Sequence, residues 1–418
     1  MLAFSVLTSS LLLGAMSLET AGIALPHQLR GSERTISQFG ELIRPGGSDP
    51  EGLYFGHPAP QVAADATGDV FGTFWMVTWY NMSAGQVFEL TPTAGAYRET
   101  IPFWFRKESG GSIPESGISA IRNGVLYGTT YSGGDPRGRA GVVYALTPDA
   151  GGYDESVLHT FKGGEDGKEP NAISLDSNGY VFGTTWWGGG VLPEGFGIAY
   201  ELQKLGHAYV EKVLHRFAGT TGGTHPCYSL VADSSGALYG ITCYGGEYDQ
   251  GVAYKLTPDG RGGYSESVIH TFVGGNYDDI AAGAPIVGRN GMPIFAAGRG
   301  ASGTGEVYGL RAHGGKYVKV VLHEFVARGD AKGPNSGLVE DAYGNLYGAA
   351  GGGGAYGFGA IYELSPQRGG FAESVLYSFR GQDDGECPYS LALGVDGNLY
   401  GVTFGGRLGG GTAFTVRL

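Results

Sequence analysis

The sequence predicts an all-β fold, a seven-bladed β-propeller of four-stranded blades, and three observations carry that prediction. A phrase of the form Gly-x-Leu-Tyr-Gly recurs with its aromatic at Phe71, Tyr127, Phe182, Tyr239, Phe295, Tyr347 and Tyr400, at spacings of 52 to 57 residues. Units of about that length build four-stranded blades. The chain of 418 residues holds 80 Gly, 26 Tyr and 20 Phe, and only 16% is charged; such a composition suits short strands joined by tight turns and excludes disordered, collagenous and coiled-coil chains. The seventh copy stops after its third strand, and the missing piece stands at the other end of the chain as Glu33-Arg-Thr-Ile-Ser-Gln-Phe39.

Taken in order, the chain opens on an apolar run, Leu2 to Met16, followed by the small-residue stretch Gly22-Ile23-Ala24. That pattern reads as a signal peptide over residues 1–24, because the run is too short to span a bilayer. Residues 25–418 are then expected to form one secreted, soluble domain, with a closing strand at about 33–39 and the repeats over about 58–418. The fourth copy illustrates the unit, with strands expected at Tyr228 to Asp233, Ala237 to Thr242, Val252 to Thr257 and Glu266 to Phe272. Asp-x-x-Gly between the first two, as in Asp233-Ser-Ser-Gly236, reads as a tight hairpin in which Gly takes positive φ and Asp accepts from turn amides. It is not a calcium loop, which needs more liganding oxygens. The third strand has the form Gly-x-x-Tyr-x-Leu-Thr-Pro and the fourth the form Glu-Ser-Val-Leu-His-x-Phe. His159, His215, His270 and His323 share one position with Phe103 and Tyr377, so that position is expected to fill space or bond at an edge, and no metal is expected. Pairing of the two chain ends would complete the last blade and remove an open edge.

Through Leu126-Tyr-Gly-Thr-Thr130, Gly141-Val-Val-Tyr-Ala-Leu-Thr-Pro148 and Ser156-Val-Leu-His-Thr-Phe161, the repeat resembles the GloVer tandem repeat, a family of secreted or surface propeller proteins. The resemblance implies the repeat type and brings no activity with it. The fifth copy departs most, with Ile294-Phe-Ala-Ala-Gly298, so distortion is expected in that blade. In plan the chain also looks like the secreted fungal propeller proteins that promote hetero-Diels–Alder cyclisation.

Function is expected on the face where loops vary. The connections from second to third strand differ between copies, as in Asp135-Pro-Arg-Gly-Arg139, Val191-Leu-Pro-Glu194 and Glu247-Tyr-Asp-Gln250, whereas the opposite face carries near-identical turns. Variation on one face marks a binding side. No polar trio recurs there, which favours one asymmetric central pocket over a sugar site repeated in each blade. Its candidate ligand-binding residues are Trp75, Tyr80, Tyr131, Arg137, Trp186, Trp187, His225, Tyr244, Tyr248, Arg299, Tyr356, Phe404 and Arg407, an apolar set with a few polar fixing groups. Each aromatic could equally be a spacer between blades.

Of the three cysteines, Cys227 and Cys243 fall opposite each other when the hairpin is counted outward from Asp233 and Ala237, so they either form a cross-strand disulfide or remain buried thiols. Asn81-Met-Ser83 is an N-glycosylation acceptor pattern. Asp278-Asp279 and Asp383-Asp384 are candidate acid pairs, though such pairs usually end loops in solvent. There is no Gly-x-Ser-x-Gly, His-Glu-x-x-His or phosphate-loop motif. The net charge of −13 opposes binding to nucleic acid or anionic membrane.

Three functions follow. The first is a cofactor-free enzyme that cyclises a small organic molecule. The second is a polysaccharide lyase or glycan-binding module in which His57 or His225 takes a proton. The third is a non-enzymatic interaction scaffold. The partner is a small organic molecule or a glycan, and a monomer is expected.

Overall fold

Seven antiparallel sheets follow one another around a ring in the computed structural model, one sheet per repeat. It describes residues 33–38, 59, 61–74, 85–94, 96–105, 110–134, 140–190, 194–206, 208–274, 280–326, 329–407 and 410–418, with backbone alone for 33–38. Blade 2 shows the pattern, running from the ring centre outward through Ile118–Arg122, Val125–Thr130, Val142–Asp149 and Gly152–Thr160. Short 3-10 turns are the described helical elements, and no helix among the described residues is long and apolar enough to cross a membrane.

The apolar residues of each blade bury themselves against the next blade. Phe71, Val87 and Phe105 of blade 1 form one cluster with Leu126, Val142 and Tyr144 of blade 2. Each following seam repeats the scheme, and the last joins Tyr400 and Val402 of blade 7 to Val62, Val70 and Phe74 of blade 1. Within these seams the Phe that ends a fourth strand meets an aromatic of the next blade's third strand edge to face. The pairs are Phe105 with Tyr144, Phe161 with Tyr200, Phe217 with Tyr254, Phe325 with Tyr362 and Phe379 with Phe414, at 4.9 to 5.2 Å. Each such pair contributes about 0.5–1.5 kcal/mol beyond its buried area.

The Gly of Leu-Tyr-Gly has a steric cause. A Cβ on Gly128, Gly183, Gly240 or Gly348 would collide with the hydroxyl of the Tyr that faces it. Blade 5 carries Phe295 at that position, opposite Tyr308, and the two rings stack at 5.3 Å; Ile294, not Phe295, therefore stands where the other copies carry the aromatic of the repeat phrase, which corrects the alignment read from the sequence. The second strand keeps the register of the other blades, and the departure is local: a phenylalanine ring stands where the other blades leave room for the tyrosine hydroxyl.

The Asp-x-x-Gly hairpins hold as read. Asp233 Oδ1 accepts from the amides of Ser235 and Ala237 at 2.8 and 3.1 Å, and Asp176 Oδ1 does the same for Asn178 and Tyr180. The first strand differs from expectation: in blade 4 it spans Thr224–Ala232, four residues longer at its start. A two-residue bulge interrupts it, so Cys227 faces Ile241 while Val231 faces Tyr239. Counting outward from the turn misses that bulge. Cys227 is nevertheless joined to Cys243, two residues past its direct partner, across a Cα–Cα distance of 5.9 Å. Cys387 is free.

The shared His position combines both expected roles. Each of His159, His215 and His323 lies edge to face on the Phe two residues on and reaches a carboxylate. His215 Nε2 is 3.3 Å from Glu266 Oε2, yet burial raises the Glu266 carboxyl to about 7 and lowers the imidazole. Opposite charges would move both groups the other way, so burial outweighs the attraction between them. The folded state then holds a proton that the unfolded chain releases above about pH 4.5. This stability is complete below that pH and is lost as pH rises through about 7. Glu266→Gln is expected to flatten the fall in melting temperature between pH 5 and 8, by an amount that solvent screening of this part-exposed group holds to about 1 kcal/mol; identical profiles would count against this account.

Candidate functional site at the channel mouth

The first strands converge on a central cavity of about 1000 Å³ to which all seven blades contribute. Their shape is set by a device that recurs in five blades. Ile113, Glu169, His225, Gly333 and Cys387 each precede a proline and each take a left-handed conformation, with φ between 53° and 63°. Non-glycine residues adopt that conformation at a cost, and a neighbour must hold them there. Here the amides of Glu169, His225, Gly333 and Cys387 donate to the carbonyls of Ala140, Phe196, Thr304 and Phe358 in the preceding blade, at 2.7 to 2.9 Å. Each following proline packs on the glycine that opens the preceding blade's third strand, as Pro170 does on Gly141. The ring thus clamps these residues around its mouth.

On the wall formed by blades 2 to 4, Tyr131, Glu115, Glu169, Trp186 and Trp187 line the cavity together. Glu169 is buried, its Oε1 lies 3.2 Å from Lys168 Nζ, and its charge acts on the Tyr131 hydroxyl. Burial, and then the charge of Glu169, push the Tyr131 hydroxyl up to about 12. Burial and Glu169 also raise the Glu115 carboxyl. The Glu115 side chain still meets solvent in the cavity, so screening keeps that rise modest. Beside this wall, the His225 ring lies against Trp187 at 4.5 Å, Trp186 at 5.2 Å, Tyr244 at 5.6 Å and Phe196 at 6.0 Å. Its Nδ1 is sealed from solvent without a hydrogen-bond partner, and burial lowers its pKa, so it is a neutral imidazole at neutral pH.

The structure therefore brings Tyr131, Trp186, Trp187, His225 and Tyr244 together and leaves other candidates apart. Arg407 pairs with Asp383 at 3.2 Å in a highly exposed contact, which also makes Asp383 a rim group rather than an acid of the cavity. Asp384 accepts from the Tyr377 hydroxyl. Tyr356 carries the Arg380 guanidinium over its ring. Tyr248 is half-exposed and Arg299 is exposed, and neither lines the cavity. Phe404 touches it indirectly, through Tyr389 at 6.2 Å. Trp75, Tyr80, Asn81, Arg137, His57, Asp278 and Asp279 lie outside the described residues. Sequence reasoning passed over Glu115, Glu169, Asn335 and Tyr389. The signal for them is the x-Pro pair before each hairpin, Glu169-Pro170, His225-Pro226 and Cys387-Pro388 among others, recurring with the repeat's own period.

The profile of the Gloeobacter/Verrucomicrobia repeat matches residues 58–292, more than half of the chain. The chain belongs to that repeat family. Blades 6 and 7, beyond the matched span, keep the same strand order. No curated protein matches the sequence at a significant level. Among solved structures, a candidate 6-phosphogluconolactonase from Bacteroides fragilis is 12% identical with a TM-score of 0.51, covering 82% of this chain and 89% of its own. A protein from Lactobacillus plantarum is also 12% identical with a TM-score of 0.51, covering 80% and 88%. At such identity the likeness is one of fold.

Proposed function

We propose that this chain is a cofactor-free enzyme that receives one small organic molecule at its channel mouth and promotes ring closure in it, of the hetero-Diels–Alder type, in secondary-metabolite biosynthesis. The observation that carries this reading is the convergence of Tyr131, Trp186 and Trp187, from two repeats, on one cavity beside Glu115 and Glu169. Flat aromatic walls suit an unsaturated substrate and hold its reacting ends together, which removes much of the entropic barrier. The Tyr131 hydroxyl is a hydrogen-bond donor at the cavity wall, and the Glu115 carboxyl, which burial and Glu169 raise, lines the cavity beside it. Donors placed where a carbonyl oxygen gains charge lower the barrier further. Neither role needs a bound group.

The half-exposed rings of Tyr244, Tyr248, Tyr356 and Phe404 on blades 4, 6 and 7 favour the second reading, a lyase or glycan-binding module, since such rings stack on sugar faces. Action outside the cytosol belongs to the same proposal and draws on the apolar run Leu2 to Met16 and on the Cys227–Cys243 bridge, because disulfides persist in oxidising compartments.

The deciving experiment compares small molecules from the source organism with and without the gene, by liquid chromatography and mass spectrometry. A cyclised product is expected to vanish while its precursors accumulate. Complementation with Tyr131→Phe is expected to restore turnover about 10²-fold lower, and Trp187→Ala to weaken substrate binding. Identical metabolite profiles would sink the small-molecule reading and leave the glycan reading standing.

A further inference from the structure

We propose that His159, Asp166 and Glu211 form a binding site for one divalent transition metal, zinc by the chemistry of its donors, at the outer seam between blades 2 and 3. This departs from the expectation that the shared histidine position fills space and holds no metal. The inference is independent of the channel and its reaction.

Three segments bring the donors together. His159 ends the fourth strand of blade 2, Asp166 sits in the 3-10 turn Gly164–Asp166 just after it, and Glu211 lies on the fourth strand of blade 3, Ala208–Arg216. One donor atom from each lies within 4.8 Å of the other two. The imidazole Nε2 is 3.1 Å from Asp166 Oδ1 and 3.9 Å from Glu211 Oε2. Neighbouring ligands around tetrahedral zinc, with bonds of about 2.0–2.1 Å, stand about 3.3–3.4 Å apart, so small side-chain movements close the site. Glu211 Oε1 is sealed from solvent and has no hydrogen-bond partner. Burial and Asp166 hold the Glu211 carboxyl protonated well above the usual carboxylate range.

The other seams provide internal controls. His215 meets Glu266 at 3.3 Å, but Gly222 stands seven residues on, where Asp166 stands in blade 2. His323 meets Glu373 at 3.1 Å, but Glu373 Oε1 already accepts from the Ala331 amide, whereas Glu211 Oε1 has no partner. Tyr377 replaces the imidazole ahead of Asp384. Among the described residues, the seam of blades 2 and 3 is where all three donors converge.

One nitrogen and two carboxylate oxygens suit zinc or a similar ion, and calcium, which takes six to eight oxygens, does not fit. The ion bonds the Glu211 carboxylate and the carboxyl proton leaves to solvent, so binding releases protons. Three protein ligands leave a fourth position for water or a ligand. The ion would tie the turn Gly164–Asp166 to the fourth strand of blade 3, beside the hydrogen bond that the Gly189 amide of blade 3 donates to the Gly164 carbonyl at 2.9 Å.

The full chain, stripped with a chelator and dialysed, is titrated with Co²⁺ and then Zn²⁺. One Co²⁺ per chain is expected, binding with proton release and with the intense visible bands of tetrahedral cobalt, which fade as Zn²⁺ displaces it. His159→Phe is the variant expected to fold, since Phe103 occupies the same position in blade 1. It and Asp166→Asn are expected to lose at least about tenfold in affinity, the lower end of what even an outer-shell partner contributes, while His215→Phe leaves binding unchanged. Absence of stoichiometric binding by the unaltered chain, or equal binding by His159→Phe, would overturn the proposal.

Discussion

Excising Glu33–Gln38 is expected to lower the unfolding midpoint sharply and to send much of the protein into aggregates. That segment runs antiparallel to Thr412–Val416, pairing Glu33 with Val416, Thr35 with Phe414 and Gln38 with Thr412. It therefore stands where the fourth strand stands in every other blade. Five cross-strand pairs contribute about 1–5 kcal/mol at ~0.2–1 kcal/mol each, and their removal also exposes an edge whose amides and carbonyls recruit other chains. Guanidinium unfolding and light scattering of the excised chain against the full one measure both effects. An unchanged midpoint would mean that the seam of blades 7 and 1, with Val62, Phe74, Tyr400 and Val402 in its core, holds the ring by itself.

Gly141→Val is expected to cost a comparable amount from one residue. Gly141 has φ +84°, and a Cβ there would strike the Thr130 carbonyl oxygen and come within 2.6 Å of Pro170 Cδ. The left-handed conformation alone costs a branched residue about 1–2 kcal/mol, and forcing extra atoms into a close-packed seam adds about 1–3 kcal/mol. Gly151→Ala is the control, because nothing lies within 4 Å of a Cβ at Gly151. Denaturant midpoints of the two variants should differ widely; equal midpoints would show that the proline-on-glycine contact is not what clamps one blade to the next.

How far the sequence could be read depended on the range of each interaction. The aromatics of Leu-Tyr-Gly marked the blades because a hairpin is a local structure, and its Gly and Asp meet partners only a few residues away, as Asp233 meets Ser235 and Ala237. The odd fifth copy was visible for the same reason, although its alignment was read one residue off: Phe295, opposite Tyr308, takes the place of the glycine and Ile294 that of the aromatic. The register of Cys227 was misread because the bulge at Tyr228 depends on the channel and not on the turn. Glu169 was passed over because its left-handed conformation is held by the Ala140 carbonyl of the blade before it.

The sequence alone determined the number of blades, the order of their strands and the face that varies, because these are repeated local patterns in which each copy corroborates the others. Tertiary structure decided which residues share the cavity wall. Glu115 and Glu169 stand 54 residues apart in the chain and become neighbours only when adjacent blades pack, and Asp166 and Glu211 approach His159 only across a seam. Such contacts join one blade to the next at a single seam, so no periodicity announces them, and the packing of the ring alone brings them together.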